Sequence, residues 1–164
     1  MVSISWCLKQ KHGLELVKPN SNMSESYLGM AEESITVLNK VTDSSIWSAT
    51  TSYYIFYYSL YALMLKIGIK CEIHTCSIEF LEKCLSDYYE KQDIDMFKKA
   101  FSARQDLQYY ANRAVDQRDI DLILRYCKTF FIKTKEIIAN MSEQEIMNIR
   151  SNLKWNHYQN PHTC

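Results

Sequence analysis

Residues 52–68 read SYYIFYYSLYALMLKIG, and this stretch decides the fold. No charged residue lies between Asp43 and Lys66, and apolar and tyrosine side chains fill most of the positions between them. A helix that is apolar on all sides is typically the buried helix of a bundle. We therefore predict a central helix over 45–67. It should end at Gly68, because glycine tolerates the left-handed backbone conformation that often follows a helix.

Apolar residues at helical spacing predict four more main helices around this one. The chain has only three Gly and two Pro, so few residues interrupt helices. We predict an all-α, up-and-down bundle of about five main helices, with a short N-terminal arm and a C-terminal helix. The first of the four further main helices is expected from Ser24 to about Val41, and the second begins at His74 or Thr75. The third is expected from Asp93 to Arg104, and the fourth begins at Asp116. The C-terminal helix begins at the Ser142–Glu145 capping box.

The chain has the length of a single domain, with 164 residues. It divides into an arm over 1–23, the helical bundle over 24–140, and a C-terminal helix and tail over 141–164. In the arm, Val2, Ile4 and Trp6 alternate with serines, and Leu14 and Leu16 alternate again after Gly13. This alternation predicts a short extended segment or hairpin. The tail after Trp155 is expected to be loose.

The charges of the chain are balanced, with 19 basic and 19 acidic residues. This balance excludes a bulk electrostatic attraction to nucleic acid or to an anionic membrane, so any RNA contact must be local. The predicted central helix is long enough to span a bilayer. Its serine, threonine and tyrosine hydroxyls and the lack of a second such segment favour a bundle instead. We therefore expect no membrane contact and a cytoplasmic location.

Self-association is favoured by a net charge near zero. One face of the predicted central helix carries mostly small side chains, at Ser48, Ser52, Ile55, Ser59 and Ala62. Small side chains allow another helix to approach closely. We therefore expect a homodimer that packs through the helix over 45–67 or the helix over 93–104.

Six cysteines occur in the chain. We expect reduced thiols that pack as small hydrophobic side chains, as is usual for cytosolic proteins. Cys71, His74, Cys76 and Cys84 suggest a zinc site, but their spacing matches no usual pattern of paired ligands. We therefore expect no metal and no cofactor.

Arg104 is the strongest candidate for chemistry in this chain. In helical projection it lies on the apolar side of its helix, where an unpaired guanidinium would be costly. Its partner must be a carboxylate, a carbonyl, a bound anion or a water-filled cleft. The main alternative to a functional role is a structural ion pair, with Asp106, Glu79 or Glu82 as the acid.

Two tyrosines and one histidine are weaker candidates. Tyr109 and Tyr110 follow Arg104 by five and six positions, and in a straight helix they would point away from it. They would fold back if the helix ended near Leu107, or they are simply amphipathic tyrosines at a helix end. His74 lies in the turn before a helix, where it can act as an acid, a base or an anion ligand, or merely cap or pack.

Together these features resemble the HEPN family, whose members are short helical bundles of prokaryotes. The central helix of that family is similar to residues 52–68, and a histidine commonly opens the next helix, as His74 does here. A later arginine is followed after a few residues by histidine or tyrosine. The run RQDLQYY supplies Arg104 and Tyr109 at those positions. The resemblance covers roughly residues 4–140.

This resemblance implies a nucleotide- or RNA-binding protein that acts with a separate minimal nucleotidyltransferase, in many members as a toxin–antitoxin pair. Arg104 would hold a phosphate, and Tyr109 and Tyr110 would stack or form hydrogen bonds. His74 and Tyr57 would line the cleft. The partner enzyme would transfer a nucleotide to Tyr109 or Tyr110.

The resemblance also implies a second hypothesis, a metal-independent ribonuclease toxin. In such enzymes the 2′-hydroxyl attacks the adjacent phosphate, an arginine stabilises the charge that develops, and a histidine moves protons. Arg104 and Tyr109 would be the catalytic residues here. Tyr109 stands where these ribonucleases have histidine, Gln108 replaces the usual acid before it, and a tyrosine with a pKa near 10 is a poor base. A non-catalytic interaction module is the third hypothesis.

Overall fold

The structure, a computed structural model, describes residues 2–110 and 112–159, and for residues 154–159 it describes the backbone alone. The described residues form seven α-helices and one antiparallel pair of short strands. In chain order they are α1 (Ile4–Lys9), β1 (Glu15–Leu16), α2 (Ser21–Leu38), α3 (Ser45–Ile67), β2 (Ile69–Lys70), α4 (His74–Cys84), α5 (Lys91–Tyr109), α6 (Gln117–Asn140) and α7 (Glu143–Gln159). The predicted all-α bundle is confirmed.

The helix α3 is the centre of this bundle. It packs against α2, α5 and α6, and its side chains Phe56, Leu60 and Leu63 have no exposed surface. Its face of small side chains is also buried within the chain, with Ser52 and Ser59 fully covered. That face is therefore not open to a second subunit, contrary to expectation. Among the residues that the structure describes, every helix is too short or too polar to span a bilayer.

Gly68 ends α3, as predicted, with a left-handed φ of 83°. Arg150 of α7 covers this helix end. Its Nη1 atom donates to the carbonyl oxygens of Val17, Ile67 and Gly68 at 2.9, 2.9 and 2.7 Å. The last carbonyls of a helix have no partner within the helix, so an arginine here satisfies them and also holds α7 in place.

The start and end of α2 differ from the prediction. The helix begins at Ser21 rather than Ser24 and ends at Leu38 rather than near Val41. Asn20 precedes it, and the Asn20 side chain accepts a 3.0 Å hydrogen bond from the backbone of Met23. Asparagine is as strong an N-cap as serine, so the earlier residue starts the helix.

The start of α5 also differs from the prediction. Its N-cap is Glu90 rather than Asp93, and Asp93 lies within the first turn, where it accepts a 2.8 Å hydrogen bond from the Glu90 backbone N–H. The Asp93 carboxylate is buried and also accepts hydrogen bonds from Lys133 at 2.6 Å and from the Tyr126 hydroxyl at 2.7 Å. Asp93 therefore joins α5 to α6 as well as capping its own helix.

Two capping predictions are confirmed. The Asp116 side chain accepts a 2.9 Å hydrogen bond from the backbone of Arg118 at the start of α6. Before α7, the backbone N–H of Ser142 donates to Glu145 at 2.8 Å, and the backbone N–H of Glu145 donates to the Ser142 hydroxyl at 3.3 Å. Both sets of contacts are local, and the sequence signals for them are correspondingly clear.

Both ends of the chain are more helical than predicted. The extended segment expected at Val2, Ile4 and Trp6 is instead the helix α1, in which the Ser3 hydroxyl accepts a 3.2 Å hydrogen bond from the Trp6 backbone. The extended segment expected at Leu14 and Leu16 is present as β1, which pairs with β2. At the other end, α7 continues past Trp155 to Gln159, where a loose tail was expected. Residues 160–164 lie outside the described part.

Cys7 of α1 and Cys76 of α4 form a disulfide bond, so the expectation of reduced thiols is wrong for this pair. Both residues are fully buried. The bond ties the N-terminal helix to the first turn of α4, the helix that begins at His74. Free thiols occur at Cys71, Cys84 and Cys127, and Cys164 lies outside the described residues.

Candidate functional site

Arg104 of α5 is not part of a structural ion pair with a described residue. Asp106 binds Arg113 at 2.5 Å, and Glu82 binds Lys98 at 2.8 Å. Neither these acids nor Glu79, the third acid considered, contacts the Arg104 guanidinium. The positive charge of Arg104 is therefore not neutralised by any carboxylate that the structure describes.

Tyrosines surround the Arg104 guanidinium instead. Its Nη2 atom donates to the Tyr109 hydroxyl at 3.0 Å and to the Tyr54 hydroxyl at 3.4 Å. Its Cζ atom lies 5.2 Å from the ring centroid of Tyr53 and 5.4 Å from those of Tyr54 and Tyr109, within the range of cation–π attraction. The Arg104 Nε atom is buried and has no hydrogen-bond partner in the described part of the chain.

The contact between Arg104 and Tyr109 differs from the expectation for a straight helix. The helix α5 ends neither at Arg104, as predicted, nor near Leu107. It continues to Tyr109, and yet the two side chains meet. Helical projection gives only the direction of each Cβ atom. Both side chains are long, and Tyr109 is the last helical residue, so no following turn blocks their approach. Tyr109 remains 61% exposed.

Tyr110 lies apart from this cluster. Its backbone is extended, and the Cζ atom of Arg113 lies 3.9 Å from the centroid of its ring. Because Arg113 also binds Asp106, Tyr110 belongs to a separate surface contact. The structure therefore brings Tyr109 to Arg104 but does not bring Tyr110 there.

His74 joins the cluster from the start of α4. Its Nδ1 atom forms a hydrogen bond with the Tyr53 hydroxyl, and its ring stacks on Tyr57 with centroids 4.2 Å apart and planes at 13°. Burial lowers the pKa of His74, and the positive charge of Arg104 lowers it further. The imidazole is therefore neutral near pH 7. Tyr57 also stacks on Tyr53, with ring centroids 6.1 Å apart.

Sequence reasoning missed Tyr54, whose hydroxyl accepts a hydrogen bond from Arg104, and it also missed Tyr53. Tyr53 is fully buried, it hydrogen-bonds His74, and its ring lies against the Arg104 guanidinium. Burial strongly raises the pKa of its hydroxyl, so the phenol keeps its proton. One signal was present in the sequence: Tyr53 precedes Tyr57 by one helical turn and so shares its face of α3.

The zinc hypothesis is not supported by the structure. The sulfur of Cys76 is bonded to Cys7 and is not available as a thiolate ligand. Within residues 2–110 and 112–153, no three His, Cys, Asp or Glu side chains cluster as metal ligands.

The cluster therefore combines one positive charge, neutral tyrosine hydroxyls and a neutral imidazole. A guanidinium with free N–H groups binds carboxylate and phosphate oxygens. Because the hydroxyl oxygens of Tyr54 and Tyr109 accept hydrogen bonds from Arg104, their own hydrogens remain available to an anion. The arrangement is chemically suited to binding a small anionic group.

Comparison with protein-family models finds no match for this chain, and comparison with curated proteins finds no similar relative.

Proposed function

We propose that this chain is a HEPN-type nucleotide- or RNA-binding protein in which Arg104 holds a phosphate group. The observation that carries the proposal is the uncompensated charge of Arg104 among Tyr53, Tyr54 and Tyr109. A structural arginine on the apolar side of a helix would be expected to bind an acid of its own chain, but two of the three acids considered, Asp106 and Glu82, bind other cations.

Phosphate is the anion that suits this site best. Its oxygens match the fork of the guanidinium, and a nucleotide adds a base that stacks on aromatic rings. Tyr109 is exposed and can contact such a base, whereas Tyr53 is buried and can only support Arg104 from behind. The balanced charge of the whole chain is consistent with recognition at one local site rather than over a broad basic surface.

The test is the binding of a short, fluorescently labelled single-stranded RNA, measured by anisotropy. We expect Arg104→Ala to weaken binding roughly tenfold or more, since a charge-assisted contact is lost. Arg125→Ala removes an exposed arginine of α6 and is the matched control. If both variants bind as the parent does, Arg104 does not hold the phosphate. If no RNA or nucleotide binds and Arg104→Ala only lowers the melting temperature, the chain is an interaction module.

The proposed partner is a separate minimal nucleotidyltransferase, in a toxin–antitoxin pair. The exposed Tyr109 hydroxyl, next to Arg104, supports the proposal that Tyr109 receives a nucleotide. The phenol oxygen would attack the α-phosphate of a nucleoside triphosphate, and pyrophosphate would leave. Mass spectrometry after co-expression with a candidate enzyme tests this. Modification that persists in Tyr109→Phe but disappears in Tyr110→Phe would assign the role to Tyr110 instead.

A metal-independent ribonuclease remains a second candidate because of His74. Its imidazole is neutral near pH 7. It forms a hydrogen bond with Tyr53, and the ring of Tyr53 in turn lies against the Arg104 guanidinium. A neutral imidazole can accept the proton of a 2′-hydroxyl while an arginine stabilises the phosphate. RNA degradation in the presence of a chelator, lost in both Arg104→Ala and His74→Gln, would support this function. Degradation that survives either substitution would exclude this mechanism.

A further inference from the structure

A groove of about 630 Å³ lies between α3, the start of α2 and the segments next to β1 and β2, nearer the C-terminal end of α3 than the tyrosines that contact Arg104. Its volume falls within the range of small-molecule sites. The residues that matter for its chemistry are three tyrosines, Tyr27, Tyr57 and Tyr61, and three charged residues, Lys18, Lys70 and Glu72. Arg104, Tyr109 and Tyr110 do not line it.

The tyrosines form an aromatic wall in this groove. Tyr57 and Tyr61 are one helical turn apart on α3, with ring centroids 5.7 Å apart and planes at 12°. Tyr27 of α2 meets Tyr61 edge to face at 4.7 Å. Burial raises the pKa of Tyr57 and of Tyr61, so both remain neutral hydroxyls. Such a wall suits a flat aromatic ring, which gains from stacking and from contact with hydroxyl groups.

The charges at the groove leave one lysine uncompensated. Lys70 binds Glu72 at 2.9 Å, and the two charges cancel. Lys18 is exposed and forms no ion pair with another described residue. The residues that line the groove therefore carry one net positive charge, on Lys18, which favours a ligand with an anionic group.

We propose that this groove is a second ligand site, which binds a planar aromatic ring that carries an anionic group, as a nucleoside monophosphate does. The ring lies against Tyr27 and Tyr61, and the anion binds Lys18. This site is separate from the one at Arg104. The two share a boundary at Tyr57, which lines the groove and stacks on His74 at 4.2 Å. A ligand that moves Tyr57 therefore also changes the surroundings of His74.

The experiment uses AMP as the probe and the Arg104→Ala protein as the background, so that the site at Arg104 does not contribute. We expect saturable binding by calorimetry, together with a shift of the His74 ring signals in NMR spectra. Lys18→Ala, at an exposed position, should weaken AMP binding about tenfold but leave adenosine binding unchanged, because only the anion contact is lost. Lys91→Ala removes another exposed lysine and is the matched control.

Tyr27→Ala should weaken the binding of both AMP and adenosine about tenfold, since the ring contact is lost. A thermal melt of this variant verifies its fold, and Lys18→Ala provides an independent test if the fold is lost. The proposal is overturned if AMP does not bind to the Arg104→Ala protein, or if AMP binds Lys18→Ala as tightly as it binds the Lys91→Ala control. All these measurements are made without Arg104, so a negative result would overturn the groove proposal and not the proposed function of Arg104. A negative result in the RNA-binding test of Arg104 would likewise not bear on the groove.

Discussion

The Tyr53 hydroxyl and the Nδ1 atom of His74 share a hydrogen bond, and the ring of Tyr53 also lies against the Arg104 guanidinium. One buried residue of α3 thus connects two candidate site residues that lie on different helices. Burial and the nearby positive charge lower the pKa of His74. Burial raises the pKa of the Tyr53 hydroxyl, so this hydrogen bond joins a neutral imidazole to a neutral phenol.

The first prediction concerns this electrostatic link. Replacing Arg104 by Ala removes a positive charge near His74, so the pKa of His74 should rise towards its ordinary value of 6.5. It should stay below that value, since burial is the larger cause of the shift and remains. An NMR titration of the His74 ring measures this change, with Arg125→Ala as the control. An unchanged or lower pKa in Arg104→Ala would show that the two groups do not interact.

The lowered pKa of His74 also predicts how stability depends on pH. The unfolded chain binds a proton at this histidine more readily than the folded protein does. The free energy of unfolding should therefore fall as the pH falls from the ordinary histidine pKa to the lower pKa of His74 in the folded protein. Below both pKa values, His74 should add no further pH dependence. Denaturant unfolding of the parent and of His74→Gln at several pH values measures the contribution of His74 to the free energy of unfolding. Their difference should be constant above about pH 8 and change on acidification; a constant difference throughout would contradict the prediction.

Two glycines provide a matched pair of substitutions. Gly68 has a φ of +83°, and a Cβ atom there would lie 2.3 Å from Arg150 Nη1 and 2.6 Å from the Val17 carbonyl oxygen. Gly68→Ala should therefore lower the free energy of unfolding by about 3 kcal/mol, through backbone strain and overlap. Gly29 lies within α2, and a Cβ atom there would meet nothing within 4 Å. Gly29→Ala should raise stability by about 0.5 to 1 kcal/mol. Equal effects in chemical denaturation would refute this account.

Removal of the Asp93 carboxylate should lower the free energy of unfolding more than removal of any other carboxylate in the described part of the chain. It is buried, and it binds Lys133 at 2.6 Å, the Tyr126 hydroxyl at 2.7 Å and the backbone of Glu90 at 2.8 Å. Asp93→Ala removes these three hydrogen bonds from a buried position and should lower the free energy of unfolding by about 3 to 5 kcal/mol. Asp95→Ala, at an exposed position of the same helix, should change stability by less than about 0.5 kcal/mol. Urea unfolding compares the two variants, and similar values would exclude the proposed role of Asp93.

The disulfide between Cys7 and Cys76 can be tested by its covalent structure and by its effect on stability. Peptide mapping without reductant should recover the two cysteines in one cross-linked pair. The bond closes a loop over 69 positions, so its loss in the double variant Cys7→Ala, Cys76→Ala should lower stability by about 4 kcal/mol on the loop-entropy model. A reductant should lower the melting temperature of the parent but not of this variant. Free thiols at both positions would contradict the structure.

The sequence by itself determined the features that depend on residues close to one another along the chain. The central helix, its end at Gly68 and the caps at Asp116 and at Ser142–Glu145 were predicted correctly. Each of these depends on apolar periodicity or on a hydrogen bond within one turn, and both kinds of signal can be read locally. Arg104 stood out for the same reason, as a charge on an apolar helix face.

The tertiary structure alone decided which residues surround Arg104 and which distant segments are joined. Tyr53 and Tyr54 come to Arg104 from another helix, Arg150 reaches the end of α3 across 82 positions, and Cys7 bonds to Cys76 across 69. No local pattern encodes such contacts, because they depend on how the helices pack rather than on where each one begins and ends.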